Sequence, residues 1–563
     1  IPTYTNRNRS YGLFPTSIIT VTWMFRMRTL PTSLILTAVL TTTTIVAAPL
    51  LSADEGSIRE LTVAYRDALN ISMDPLDAFT VTEAQLLTAL SEGLVSYHPL
   101  SLDPVSGVAR NWRVSADGLR YRFLLRDNAR FSDGTRVVAE DFRASWMRMI
   151  NPGEQAKYSL LFDVIRGVAD YRSGLTKDES GVGIHVVSPE ELEVVLERPS
   201  EHFLRMLAHH AFAPVYPAYR AQVGWQSQAP IIGNGPFSVA EWTASELLFE
   251  RNLHYWGRST VDLDRIRVRF FDDAKAIDAG FMAGDIHWAK DFVGSQQMAP
   301  FIVANRLFST TYFLFRSSSR PFNDARVRRA LALLVPWDQV RSSEEGIRFP
   351  TSVLVPRMPG YPNIEGITNE DLRSARRLLE QSGFPEGIGL PPIIIKVVGE
   401  QAAYLAEPLQ QAWKKHLGAD VTVAVVPAYD DYLEEVKAGN FTLAVASWVG
   451  DFVDPISFLQ MWTSSSNLND AGYSSRDYDR LIDLALGNTG LDRLQSLAKA
   501  EELLLQEAVI LPLRHGVAAS LIDLQRVSGW SPNQLDIHPF RYMGFRRADL
   551  PAGVAVSKDL SPG

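Results

Sequence analysis

At 563 residues, with 46% hydrophobic and 21% charged side chains, the chain has ordinary globular composition and too much length for a single core. It contains no cysteine, which excludes disulfides, thiolate metal sites, cysteine nucleophiles and a lipid-bearing N-terminal cysteine. A formal net charge of −9 argues against a nucleic-acid partner.

Residues 1–23 read as upstream sequence. From Met24, Arg26 and Arg28 precede an uncharged stretch from Thr29 to Ala53, followed by Asp54 and Glu55. A basic start, an apolar middle and small residues before an acidic pair predict an export signal, cut after Ala53. An uncleaved membrane anchor is the alternative; the length permits it, while Pro31 and the threonine run 41–44 weaken it. Residues 1–53 hold four basic and no acidic residues, so their removal leaves 51 basic against 64 acidic. An exported, acidic, cysteine-free chain is expected in a bacterial periplasm.

Helical patterns are expected at Glu83–Glu92, Ala139–Met149, Ala325–Val335 and Leu491–Glu507, and strands at "YRFLLR", "LEVVLE", "RIRVRFF" and "PIIIKVV". Before the second helix, Asp133-Gly134 is a turn, and Phe142, Trp146 and Met149 recur at helical spacing as one buried face. Tyr255 and Trp256 read as a satellite core, and His209-His210 as structural, since neighbours on one element point apart. Asp262, Asp264, Asp272 and Asp273 straddle a strand and are expected to face solvent. The run "LAVASWVGDFVDPISFL" is a buried strand ending at Trp448, then Gly450, Asp451, Asp454 and Pro455. Its carboxylates are either turn residues or a site for a positively charged ligand group.

The mixture of elements predicts an α/β protein whose lobes are interwoven, because no repeat and no Gly/Ser linker divides the chain. Phosphate-loop, nucleophile-elbow and zinc-helix motifs are all missing, and no acidic cluster has calcium-loop spacing. No metal, no cofactor and no catalysis are expected; elimination leaves a binding protein as the expectation.

From about Leu61 to Phe545 the sequence resembles the periplasmic oligopeptide-binding proteins of ABC importers, the family 5 extracellular solute-binding proteins. The blocks carrying the resemblance are "SMDPLDAFTVTEAQLLTALSEGL", "VARNWRVSADGLRYRFLLRDNARFSDGTRVVAEDFRASWMRM", "GNGPFSVAEW" with "FERNLHYWG", "RPFNDARVRRAL", "AWKKHLGADV", the run around Asp451, "NDAGYSSRDYDRLI" and "ILPL". The resemblance implies a three-lobed periplasmic-binding-protein fold (type II, cluster C), with two hinge-linked lobes around a ligand cleft and an inserted third lobe. The implied divisions are lobe I at 54–95, 213–309 and 516–563, lobe II at 96–212 and lobe III at 310–515, after the leader 1–53. Hinges are expected near Phe308–Phe315 and Leu511–Val517, and closure is expected to bury the ligand.

The resemblance also implies a site. Asp451, three residues after Trp448, matches the aspartate that receives a peptide's ammonium, with Trp448 as a cleft wall, while Asp454 is left as a turn residue. Peptide backbone is expected to pair with Thr80, Val81 and Thr82, with the turn Asn234–Gly235, and with Val445, Ser447 and Gly450 around the strand end. The basic residues that meet a peptide carboxylate in the family prototype are replaced here by Val436, Val445 and Ala402. Hinge residues Tyr312, Arg316, Arg514 and His515 are therefore added to the candidates; Arg316 and Arg514 either meet an anionic group or pair with carboxylates of the lobes. The expected function is a monomeric periplasmic receptor that delivers peptides to a membrane permease. Alternatives are a non-peptide solute (sugar, opine or metal chelate), a chaperone for unfolded chains and an exported hydrolase.

Overall fold

The computed structural model describes residues 58–546 except 67–70, 155, 223, 343–348 and 400–401. The expected export signal, its cleavage point and the tail 547–563 lie outside the described residues.

Two long antiparallel strands, Ile302–Phe315 and Ile510–Ile522, form the spine of an eleven-stranded mixed sheet. On one flank Leu443–Val449 pairs antiparallel with Ile302–Phe315, followed by Ile393–Val398 and Val421–Val426. The last two are β-branched runs, and as parallel neighbours they need a crossover, which helix Ala403–Leu417 supplies. On the other flank the order is Trp288–Lys290, Glu60–Arg66, Arg265–Phe271, Glu246–Arg251 and Phe237–Trp242.

The spine changes register twice, between Arg306 and Thr310 and between Thr311 and Tyr312. The second break falls inside Phe308–Phe315 and Leu511–Val517, the segments expected to bend, and the first straddles the start of Phe308–Phe315. The first is shaped by Gly516, where a Cβ would stand 2.0 Å from Ser309 Oγ, so a side chain would push the two strands apart.

A four-stranded antiparallel sheet, Ala109–Val114, Arg120–Leu125, Glu191–Val195 and Ile184–Ser188 in spatial order, stands apart from the main one. Helix Ala139–Met149 buries Phe142, Trp146 and Met149, as its spacing predicts. Trp146 is ringed edge-on by Phe142, Phe162 and Phe212 and donates its indole N–H to the Phe212 carbonyl at 2.9 Å. One continuous apolar core joins this sheet to the Leu443–Val449 flank, while a separate core backs Glu60–Arg66 and its neighbours.

Helix Val81–Leu90 begins in a capping box: Thr80 Oγ1 accepts from Glu83 N, and Glu83 Oε2 accepts from Thr80 N at 2.8 Å. The same carboxylate also accepts from Phe79 N and Ser72 N, both at 2.8 Å, folding the loop 72–80 onto the helix end. That loop sets the position of Phe79. Asp262 and Asp264 do not simply face solvent: they pair with Arg59, and Asp264 with Arg251 at 2.6 Å, tying the edges of neighbouring strands.

Candidate ligand site at the end of the central flank

Strand Leu443–Val449 runs directly into the site. Gly450 keeps the ladder's direction by donating to the Phe308 carbonyl at 2.8 Å, and a Cβ there would sit 2.7 Å from the Phe308 ring and from Ser457 Oγ. Close approach therefore requires glycine, and the chain delivers Asp451 inward. Asp451 is only 8% exposed, and no other described residue bonds or ion-pairs with its carboxylate. Burial pushes that carboxyl up to about 8.

Aromatic groups from distant parts of the chain surround it. Burial raises the phenols of Tyr97 and Tyr158, and the nearby Asp451 charge raises both further. The Tyr97 hydroxyl is buried with no hydrogen-bond partner, and the Tyr158 hydroxyl reaches the Phe79 carbonyl at 3.4 Å. Phe79 lies 5.3 Å from the Tyr158 ring and 6.0 Å from the Trp448 ring, between centroids. Trp448 is held by its indole N–H on the Ser457 carbonyl at 2.9 Å. A buried carboxylate with π faces around it has the chemistry to hold an organic cation.

The strand edge beside it is defined by the ladder. Since Gly450 N–H points to Ile302–Phe315, alternation directs the backbone groups of Val449, Ser447 and Val445 to the other side. On that side the neighbouring strand Ile393–Val398 pairs only with Leu443 and Ala444. Val449 and Ser447 thus present backbone donors and acceptors at an open edge next to Asp451.

The remaining candidates divide. Ser447, Thr311 and Arg514 occupy facing positions across three strands; Ser447 Oγ bonds Thr311 Oγ1 at 2.8 Å, and an Arg514 Nη donates to the Tyr404 hydroxyl at 3.1 Å. Arg514 thereby shares a face with Ser447. Tyr312 is buried against Trp462 at 5.7 Å. His515 bonds Thr310 Oγ1 at 2.9 Å, and burial pushes it down to about 4, so it is a neutral tie and no cation. Arg316 stands at the opposite end of Leu443–Val449 from Asp451, against Gly439 and Phe441, with its charge acting on Asp470. Thr80, Val81 and Thr82 open a helix instead of an extended edge, because the capping box uses the Thr80 N–H and hydroxyl. Asn234 clasps the Glu92 backbone through both amide atoms, and Gly235 N–H bonds the Leu90 carbonyl, so this turn seats the helix end. Val436 and Val445 are buried in the apolar core, and Ala402 caps helix Ala403–Leu417.

Reading Asp454 as a turn residue is incomplete. It does bond Ile456 N at 3.0 Å, but it is buried and grips Arg493 through two bonds of 2.6 and 3.0 Å. Arg493 reaches on to His202 Nδ1 at 3.2 Å, and His202 stacks flat on Phe452 at 5.5 Å. Burial pushes His202 down to about 4, so it meets Arg493 as a neutral acceptor. This chain of contacts bridges the segment around Asp451 to the region of the four-stranded sheet. Tyr255 and Trp256 likewise form more than an apolar patch: both donate to Glu92, which also pairs with Arg541. His209 is buried and His210 half-buried, desolvation holds both low, and among the described residues no group of three His, Asp or Glu can hold a metal ion.

A mixed sheet whose spine shifts register twice, with a buried, uncompensated carboxylate at a strand end, suits a solute-binding protein. Residues 103–470 match the family model of bacterial extracellular solute-binding proteins, family 5, middle region, and the chain belongs to that family. It is 28% identical over 500 residues to the dipeptide-binding protein DppE of Bacillus subtilis, covering 85% of this chain and 90% of that one. It is 28% identical to the periplasmic murein peptide-binding protein MppA of Escherichia coli, over 78% of this chain and 85% of that one. The structure of MppA superposes with a TM-score of 0.77 at 26% identity, covering 87% of this chain and 99% of MppA. The unliganded open form of MppA superposes with a TM-score of 0.62. A third relative, the probable deoxycholate-binding periplasmic protein YgiS of Escherichia coli, is 29% identical over 83% of this chain and 91% of its own. The fold is that of type II periplasmic binding proteins, and the relatives are binding proteins. Among the described residues no helix is long and apolar enough to cross a membrane.

Proposed function

We propose that this protein is a monomeric periplasmic receptor that captures peptides and delivers them to the permease of an ABC importer, without catalysing any reaction. One observation carries the reading: Asp451 is buried without a protein counter-ion beside an open strand edge. A peptide supplies both missing parts, an ammonium for the carboxylate and a backbone for Val449 and Ser447. The spine strands, with their register breaks, are the proposed hinges between lobe I and lobe III, and lobe II is the region of the four-stranded sheet. Arg514, on the same face as Ser447, is the cation we assign to the ligand's far end. The name of YgiS raises a second reading, a steroidal carboxylate; such a ligand brings no ammonium for Asp451 and no backbone for the open strand edge, which favours the peptide.

Proton linkage tests the reading. Below pH 8 Asp451 holds a proton in the free protein, whereas a bound ammonium keeps it ionised, so binding must release that proton. Affinity for a free tripeptide is expected to fall as pH drops from 8 to 6, by up to about tenfold per unit. Above about pH 8 the ligand's own amine loses its charge, so affinity peaks near there. Calorimetry in buffers of different ionisation enthalpy should read the released proton, and N-acetylated peptide should fail to bind. Equal affinity for the acetylated peptide sinks the ammonium role.

A further inference from the structure

Past Ser447 the open edge ends abruptly. Helix Tyr429–Ala438 lies across it, and Tyr432, 4% exposed, donates its hydroxyl to the Val445 carbonyl. The helix is pinned by Glu435, whose carboxylate meets the Lys396 ammonium at 2.7 Å, on the strand that neighbours Ala444. One turn further along the helix Val436 is buried, as is Val445 opposite. The wedge where Ile393–Val398 and Leu443–Val449 part company is therefore filled by a phenol ring and apolar side chains.

We propose that Tyr432 limits the ligand to four residues, an inference that rests on the peptide reading above. An ammonium at Asp451 makes the peptide run antiparallel to Leu443–Val449, starting at the strand's C-terminal end. With its first residue opposite Val449, its third faces Ser447 and its fifth would face Val445. Val449 and Ser447 have backbone groups to offer, but the Val445 carbonyl already accepts from Tyr432. A fifth residue must displace the phenol or leave its own N–H unpaired in a closed cleft. A carboxylate ending at that point would also be desolvated against Val436 and Val445 instead of meeting a cation. Three- and four-residue peptides end before this obstruction.

The test is a ladder of tri-, tetra-, penta- and hexa-alanine, titrated calorimetrically into the wild-type protein and into Tyr432→Phe. In the wild type, tri- and tetra-alanine should bind within about threefold of each other, and the two longer peptides about tenfold or more weaker. Tyr432→Phe frees the Val445 carbonyl, so its penta-to-tri affinity ratio should rise by about threefold or more. Penta- or hexa-alanine binding the wild type within about twofold of tri-alanine overturns the length limit and leaves the peptide reading standing. An unchanged ratio in Tyr432→Phe overturns the role of the hydroxyl, and binding of no alanine peptide at all overturns both.

Discussion

Asp451→Asn is expected to lower tripeptide affinity by about 10²- to 10³-fold at pH 8, while making the unliganded protein more stable. The first effect follows from removing one partner of a buried charge pair, which costs about 2–5 kcal/mol because the ligand's ammonium is then desolvated without compensation. The second follows from the raised carboxyl. Between the unfolded value near 3.9 and the folded value of about 8, the folded state binds more protons than the unfolded one, so stability falls as pH rises through that window. Asparagine carries no such linkage and should gain on the order of 3–4 kcal/mol at pH 7, with the gain vanishing below pH 4. Thermal unfolding at pH 4 and pH 7 together with calorimetry reads both effects. A variant that binds tripeptide like the wild type, or that gains no stability at neutral pH, contradicts the assignment. Loss of binding with loss of stability would mean a structural role.

Arg493→Met is expected to destabilise the protein by about 3–5 kcal/mol, since it leaves the Asp454 carboxylate buried without its cation. Asp454 keeps its bond to Ile456 N in either case, and His202 loses its donor. The companion test is Asp454→Asn combined with Arg493→Met, which retains a side-chain acceptor for Ile456 N and removes the orphaned charge. The double variant should recover most of the lost stability in urea unfolding, because replacing a whole buried pair costs far less than breaking it. If the double variant is as unstable as the single one, the ion pair is not the source of the effect. Arg493 also touches His202 next to the Phe452 stack, so the single variant should loosen the contact between the Asp451 segment and the four-stranded sheet.

Local signals in the chain were legible where a short range of residues decides the outcome. Ala139–Met149 shows its buried face by spacing, and "RIRVRFF" is a strand over the whole of Arg265–Phe271. Thr80 and Glu83 form a capping box, whereas the family resemblance drew the loop Thr80–Thr82 into the ligand site as a partner for peptide backbone. Local capping chemistry prevailed there, because the Thr80 N–H and hydroxyl are satisfied within the helix start. Asn234–Gly235 went the same way, into seating the end of that helix.

The Asp451 site shows the division most clearly. The glycine-flanked aspartate three residues beyond a strand-end tryptophan, and the replacement of the family's cations by Val436, Val445 and Ala402, followed from the family resemblance. No signal in sequence pointed to Phe79, Tyr97 or Tyr158, because rings from segments hundreds of residues apart meet only when the sheet halves come together. Asp454 looked like a turn residue beside Pro455, and only the arrival of Arg493 made it half of a buried pair. The sequence by itself determined element types through spacing and local chemistry, and its resemblance to a known family implied which carboxylate to single out. Tertiary structure alone decided that Asp451 is buried without a counter-ion, that Arg316 lies at the far end of the strand, and that Tyr432 closes the edge. Desolvation, edge pairing and charge compensation are properties of what surrounds a group, and those surroundings come from parts of the chain that only the fold brings together.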